Sequence, residues 1–241
     1  MPPSSSPSSS STASSSSPPP NAAAQAALEW VKDGMKLGLG TGRAAAAFVE
    51  ALGVRVAAGL KVVGVPTSEA TAELAGRLSI PLATLEEEPE LDITFDGADE
   101  VDGDLNLIKG YGAAMVREKV VALSSKQLVI LVGPEKIVEQ IGERGRLPIE
   151  ILPFCAELVR RSLSAKGITT DLRVDAEGKT LITDNGNWIL DAKLSTPLDA
   201  HALEASLTRL PGVLGTGFFL GMADAVIIGD GADAEVRRRT P

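Results

Sequence analysis

Cysteine is almost missing: Cys155 stands alone among 241 residues, so no disulfide can form within the chain. Histidine is equally scarce. With His201 the single example, no Cys/His zinc site can be assembled. This usage fits a reducing compartment, and the chain is read as cytoplasmic. Aromatic residues make up only 3%, so the 44% hydrophobic fraction must build its core mainly from Ala, Val, Leu and Ile. Excess positive charge is lacking too, since 23 Lys+Arg against 32 Asp+Glu leave a net charge of −9. Such a chain has no electrostatic footprint for nucleic acid or an anionic membrane surface, whereas a small phosphorylated ligand needs only a local cationic site. No apolar run approaches the roughly 18 residues of a membrane span. The length suits one large domain or two small ones.

Residues 2–20 contain only Pro, Ser, Thr and Ala, a composition that buries too little apolar surface to offset the entropy of ordering. Residues 1–21 are therefore expected to be a disordered Ser/Pro-rich tail. Its acid-free, Ser-rich character leaves a plastid transit segment as the alternative, although the first basic residue is Lys32 and transit peptides normally carry Arg. From Ala22 the pattern predicts a helix through Leu28, a strand over 35–39, a helix from Ala44 to Leu52, a strand from Leu60 to Val65, and a helix from Glu69 to Leu78. Strands at 91–95 and 128–131, separated by a helix over 113–123, continue the alternation. This order implies parallel pairing with helical crossovers. Beyond Pro148 the rhythm changes to short strands at 149–152, 170–174, 180–183 and 188–191, with helices at 156–166 and 200–210. The apolar run 225–228 is expected to rejoin the first sheet. The fold class is α/β: a Rossmann-like doubly wound sheet over 22–146 and 223–235, with a smaller α+β (ferredoxin-like) domain over 147–222.

Gly38-Leu39-Gly40-Thr41-Gly42 falls between the first strand and its helix, where glycines allow close backbone approach and free amides can hold an anion. A dinucleotide fingerprint is excluded because Arg43 occupies the place of its last glycine and the second strand ends Val65-Pro66-Thr67-Ser68 without an acid. A P-loop is excluded because no Lys-Ser/Thr pair follows. What remains is an anion-binding turn for a phosphate monoester, or a tight turn without a ligand. Asp96-Gly97-Ala98-Asp99-Glu100-Val101-Asp102 follows a strand and sends several acids to the carboxyl edge of the sheet, where open α/β folds place their sites; a solvated turn is the competing reading. A calcium loop started at Asp102 fails, with Leu107 in the glycine place and Ala113 in the bidentate-acid place. Lys109 precedes Gly110-Tyr111-Gly112, so its ammonium and the amides of the next helix can face the same crevice. In that helix Glu118 is either a crevice carboxylate or an ordinary surface partner of a lysine. Lys136, after Gly133-Pro134, is a further cation at this sheet edge.

These segments, with Leu105-Asn106-Leu107-Ile108-Lys109-Gly110, Arg117-Glu118-Lys119, Leu147-Pro148-Ile149-Glu150 and Thr183-Asp184-Asn185-Gly186-Asn187, resemble the type A ribose-5-phosphate isomerase family, in its order and spacing from about Ala22 to Gly229. The resemblance implies interconversion of D-ribose 5-phosphate and D-ribulose 5-phosphate in the non-oxidative pentose phosphate pathway and, in photosynthetic organisms, carbon fixation by the Calvin cycle. It implies no cofactor and no metal, and a homodimer or homotetramer. Aldose–ketose isomerisation through an enediolate needs a base that returns its proton and donors for the oxyanion. By resemblance Glu118 is the base, Lys109 and nearby amides face the oxyanion, and Asp96 and Asp99 handle hydroxyl protons and ring opening. Substrate-binding positions are Thr41, Gly42, Arg43, Gly110, Gly112 and Lys136. A metal-assisted hydride shift is the mechanistic rival, weakened by the lack of a clear ligand set.

The chain also departs from the family pattern. Where the phosphate turn usually reads Thr-Gly-Ser-Thr-Ala, this chain has Thr41-Gly42-Arg43-Ala44-Ala45, so two hydroxyl donors are gone; Arg43 either replaces them by holding phosphate, fills the pocket or points to solvent. Tyr111 interrupts a glycine run, as spectator bulk or as a side chain that narrows the site; Gly133 stands where many relatives have an acid, and no lysine precedes Glu29. A second function class follows from these changes: a catalytically weak paralogue that binds sugar phosphate or serves as a regulatory subunit.

Overall fold

The computed structural model describes residues 21–239. The expected tail lies outside the described residues except for Asn21, which belongs to the fold: its side chain accepts from the Ala24 amide and caps the first helix. In chain order the elements are α1 (Ala22–Leu28), β1 (Lys36–Leu39), α2 (Arg43–Ala57), β2 (Val63–Pro66), α3 (Glu69–Arg77), β3 (Ile93–Gly97), β4 (Glu100–Val101), β5 (Leu107–Ile108), α4 (Met115–Leu123), β6 (Leu128–Val132), β7 (Arg146–Ile151), α5 (Ala156–Ser164), β8 (Thr170–Leu172), β9 (Trp188–Lys193), α6 (Ala200–Leu207), β10 (Val213–Thr216), β11 (Phe218–Phe219), β12 (Ala225–Asp230) and β13 (Asp233–Arg238).

Six strands form the main sheet in the order β13-β12-β6-β3-β1-β2, parallel except for the β12–β13 pair. The two-residue alternation of a strand divides their side chains between two apolar clusters. Val129, Leu131, Ala225 and Ile227 meet Leu37, Leu39, Phe95 and residues of α1 and α2 on one face; Leu128, Ile130, Val132, Val226 and Ile228 meet Met115 and Ala122 of α4 on the other. Helices therefore cover both faces, as a doubly wound sheet requires. Phe48 of α2 lies on Phe95 with ring centroids 4.3 Å apart, the largest side-chain pair of a core with few aromatics.

Strands β7, β8, β9 and β10 form a second sheet in the order β10-β7-β9-β8, all antiparallel, with α5 between β7 and β8 and α6 between β9 and β10. This is the β-α-β-β-α-β order of a ferredoxin-like unit. A small sheet, β11-β5-β4, joins the two parts, and its adjacent phenylalanines face opposite ways: Phe218 into the core under the second sheet, Phe219 into that under the first.

Several local expectations need correction. The helix expected to stop at Leu52 runs through Gly53 to Ala57, because a side chain at 53 would come within 2.9 Å of Leu78 Cβ and the glycine lets α2 and α3 pack closely. No strand forms over 180–183; Thr180 makes only an isolated bridge to Val174. Conversely β13 carries no apolar alternation and is exposed throughout, yet it pairs with β12 along its full length after a tight turn at Gly231. Its Asp233, Glu235, Arg237 and Arg238 give the sheet a charged edge that resists further strand addition.

Candidate active site

The carboxyl ends of β1, β3 and β6 open onto a cavity of about 370 Å³. Thr41, Gly42 and Arg43 form one wall, Asp99, Lys109, Gly110, Gly112 and Glu118 a second, and Gly133 and Lys136 a third. Nine of the ten expected site residues thus line one space. The tenth, Asp96, lies directly behind it.

Asp96 sits within β3, which extends beyond the expected end at Phe95, and it is 1% exposed. Its Oδ1 accepts the amides of Thr41 (3.1 Å) and Gly97 (2.7 Å), which fastens the glycine turn to the sheet. Gly40 is required there, since a Cβ would collide with that oxygen. The other Asp96 oxygen is 3.0 Å from the Lys109 ammonium. Lys109, 2% exposed, also donates to the Gly97 carbonyl, approaches Glu118 Oε2 at 3.4 Å and lies 5.5 Å above the Phe219 ring. Glu118, on the inner face of α4, is 4% exposed, which removes the surface-partner reading. Its Oε2 makes no aligned hydrogen bond, so the 3.4 Å approach is a charge contact only.

Burial pushes the Glu118 carboxyl up to about 8; the neighbouring Asp96 charge adds to the rise and Lys109 opposes it. Burial likewise raises Asp96, against the pull of Lys109 and the two amides. For Lys109, burial favours the neutral amine, but Asp96 and Glu118 outweigh it and the ammonium is held above its ordinary range. The arrangement keeps one cation beside two carboxylates of which Glu118 readily takes a proton, as acid–base chemistry near neutrality needs.

The remaining acids of the 96–102 stretch part company. Asp99 faces the cavity and accepts the Tyr111 amide at 2.9 Å. Glu100 is fully buried on the opposite side, where it accepts the amides of Gly142 and Arg144. Asp102 closes its own turn by accepting from Asp104 and Asn106. Only two of the four acids therefore belong to the site, since strand alternation and an Asx turn remove the others.

Thr41 lines the cavity, but its hydroxyl is engaged by Thr67 (2.7 Å), Ser68 (2.8 Å) and Thr71 (3.3 Å), a buried hydroxyl cluster that the sequence did not announce. Gly42 takes φ +97° at the start of α2, whose first turn has no side-chain cap. Arg43 is exposed at that helix start, and no ion pair engages it or Lys136 among the described residues. Gly133 leaves room that the Glu135 carboxylate fills, one of its oxygens standing where a Cβ would otherwise lie. Tyr111 does not narrow the cavity; its ring packs under the second sheet with the Arg146 guanidinium 4.6 Å from its centroid.

The other motifs support the site from outside. Arg117 joins Glu69 on α3 to Asp184 and Asn185 of the 183–187 turn. Glu150 holds that turn from beneath, accepting from Thr183, Asn185 and Asn187. Lys119 reaches Glu204 and the Thr216 carbonyl.

The family model for ribose 5-phosphate isomerase A (phosphoriboisomerase A) matches residues 63–233. The chain belongs to the ribose-5-phosphate isomerase A family. Ribose-5-phosphate isomerase A of Bradyrhizobium diazoefficiens is 47% identical over 90% of this chain and 95% of its own, and that of Methylorubrum extorquens is 51% identical over 85% and 89%. Among solved structures, ribose 5-phosphate isomerase A from Methanocaldococcus jannaschii superposes with a TM-score of 0.85 at 39% identity, covering 90% of this chain and 96% of that one. A D-ribose-5-phosphate isomerase in complex with phospho-erythronic acid superposes with a TM-score of 0.86 at 38% identity over 90% and 96%. Family membership fits the observed fold: a parallel main sheet carrying the cavity and a separate antiparallel unit. No described helix is long and apolar enough to cross a membrane.

Proposed function

We propose that the chain interconverts D-ribose 5-phosphate and D-ribulose 5-phosphate by proton transfer through an enediolate. One observation carries the mechanism: a buried glutamate with an unpartnered oxygen at a cavity wall, beside a buried ammonium. Glu118 as carboxylate removes the proton from C2 of the aldose and returns it to C1; the reverse reaction exchanges the two carbons. Negative charge then develops on the substrate oxygens, and Lys109, at the cavity wall beside Glu118, faces it. Asp99 stands at the cavity wall for the hydroxyl protons of ring opening and isomerisation. Asp96 acts from behind, holding Lys109 in place and the glycine turn closed. The phosphate is assigned to the uncapped start of α2, between Arg43 and Lys136, where helix amides and two unpaired cations favour a dianion. Residues 22–146 and 223–235 then carry the chemistry, and residues 147–222 fasten it. By the same family likeness the working form is a homodimer or homotetramer.

The test is conversion of ribose 5-phosphate by the purified chain, followed across pH. Proton abstraction requires the carboxylate form of Glu118, so kcat/KM is expected to be low in acid and to rise to a plateau above about pH 8, with no fall until Lys109 loses its proton above its ordinary range. Saturable binding without turnover would instead identify the catalytically weak paralogue. A rate that declines from pH 6 to 9 would exclude Glu118 as the base.

Arg43 replaces lost hydroxyls only if it touches the phosphate. Arg43→Ala should then raise KM about tenfold or more with kcat nearly unchanged, the loss of one charge-assisted contact of roughly 1.5–3 kcal/mol. An unaltered KM in steady-state assays would place the guanidinium in solvent.

A further inference from the structure

Arg173 follows β8 in the second sheet, away from every segment that marks the site in the sequence, yet it ends against the catalytic turn. It is 6% exposed. Its Nε and Nη2 form a fork onto Asp191, at 3.0 Å to Oδ2 and 2.5 Å to Oδ1. Its Nη1 crosses to the first part of the molecule and donates to the carbonyls of Gly110 (2.7 Å) and Tyr111 (3.2 Å). All three guanidinium nitrogens are thus engaged, as a buried cation requires. A lysine has one nitrogen and cannot span the same partners.

The two carbonyls belong to the peptides that shape the cavity wall. The Gly110–Tyr111 peptide is gripped at both ends, its carbonyl by Arg173 and by the Ala113 amide (3.0 Å), and its N–H by Asp99 (2.9 Å). The Tyr111–Gly112 peptide is gripped at one end only. In a planar trans peptide the C=O and N–H point to opposite sides, so fixing the Tyr111 carbonyl on Arg173 turns the Gly112 N–H the other way. Gly112 lines the cavity, and among the described residues its N–H has no acceptor. Gly110 takes φ +102° freely, but Ala113, with a Cβ, has φ +65°, so the end of the turn does not hold its shape from local preference alone.

We infer that Arg173, anchored by Asp191, is a positioning residue that aims the Gly112 amide at the substrate oxygen on which charge develops. This rests on the isomerase reading above. Arg173 touches neither substrate nor Glu118; it acts through the backbone. Misaiming one oxyanion donor reduces the chemical step more than ground-state binding, because the interaction is strongest in the transition state.

Arg173→Lys, Arg173→Ala and Asp191→Asn separate this role from general support. Turnover of the unaltered chain is measured first, so failure of the isomerase reading shows in the parent, whereas failure of the present inference shows only in the variants. Each variant is expected to lose kcat by about 10- to 100-fold with KM within about threefold. The same proteins are titrated with phospho-erythronic acid, whose carboxylate mimics the enediolate, and with ribitol 5-phosphate, which has no such group. Affinity for the acid should fall about tenfold while affinity for the alcohol stays within about threefold. Wild-type kcat in Arg173→Lys, or equal weakening of both ligands, overturns the inference. If Arg173→Ala does not fold, the two polar replacements carry the same comparison.

Discussion

Glu118→Gln is expected to lose at least about a thousandfold in kcat while binding phospho-erythronic acid, and melting at a higher temperature than the unaltered chain. The amide keeps the shape of the side chain but cannot accept a proton, and general base catalysis with proton return depends on that step alone. Stability should move the other way because the carboxylate is charged and buried. Its pKa rises from an ordinary carboxylate value to about 8 on folding, so the native state holds a proton that the unfolded chain releases. Stability from this group is full below about pH 4.5 and is lost as pH rises through 8, each tenfold gain in proton affinity on folding being worth about 1.4 kcal/mol. Gln does not titrate. The melting temperatures of the two proteins should therefore diverge between pH 5 and 9, with Glu118→Gln higher by roughly 5 °C or more at the alkaline end. Calorimetry at several pH values reads this directly. Parallel curves would mean that Glu118 is not a strained buried acid, and retention of a tenth of the activity would move the base elsewhere.

The sheet was legible because its strands are short apolar runs between turn residues, and the crossover helices carry regular spacing. The end of α2 was not, since glycine normally stops a helix and only the closeness of Leu78 makes Gly53 an asset there. β13 was missed for the converse reason: an exposed charged segment has no pattern, and its pairing follows from the open edge of β12. In the site, residue types and order directed Asp96, Asp99 and Lys109 to one crevice, whereas Glu118 stayed open between crevice and surface until the family resemblance chose; the separate duties of Asp96 and Asp99 follow from β3 running to Gly97, which buries Asp96 in the strand and leaves Asp99 in the turn beyond it. The sequence held no sign that Thr41 spends its hydroxyl on Thr67, Ser68 and Thr71, nor that Arg173, 63 residues beyond Gly110, supports the Gly110–Gly112 turn. Such contacts arise where two sheets meet, and local periodicity carries no information about that meeting.

Lys109→Met tests the other half of the buried pair and is expected to damage both activity and stability. Methionine has about the right length and no charge, so the space stays filled while the ammonium disappears from between Asp96 and Glu118. Two carboxylates are then left without a counter-charge, and the Gly97 carbonyl loses its donor. Breaking a buried ion pair from one side costs roughly 3–5 kcal/mol, or about 6–20 °C in Tm for a chain of this size. The cost must depend on pH. Without the cation both carboxyls rise further and take up protons on folding, so the variant should lie closest to the unaltered chain near pH 5 and fall furthest below it near pH 9. Activity should drop about a thousandfold or more at pH 7, because the oxyanion loses its cation and Glu118 holds its proton more tightly. Part of the second loss is recoverable: the rising limb of the rate should move to higher pH than in the unaltered chain. A variant whose Tm deficit is the same at pH 5 and 9, with an unshifted rate profile, would show that Lys109 neither neutralises the two acids nor sets the proton affinity of the base.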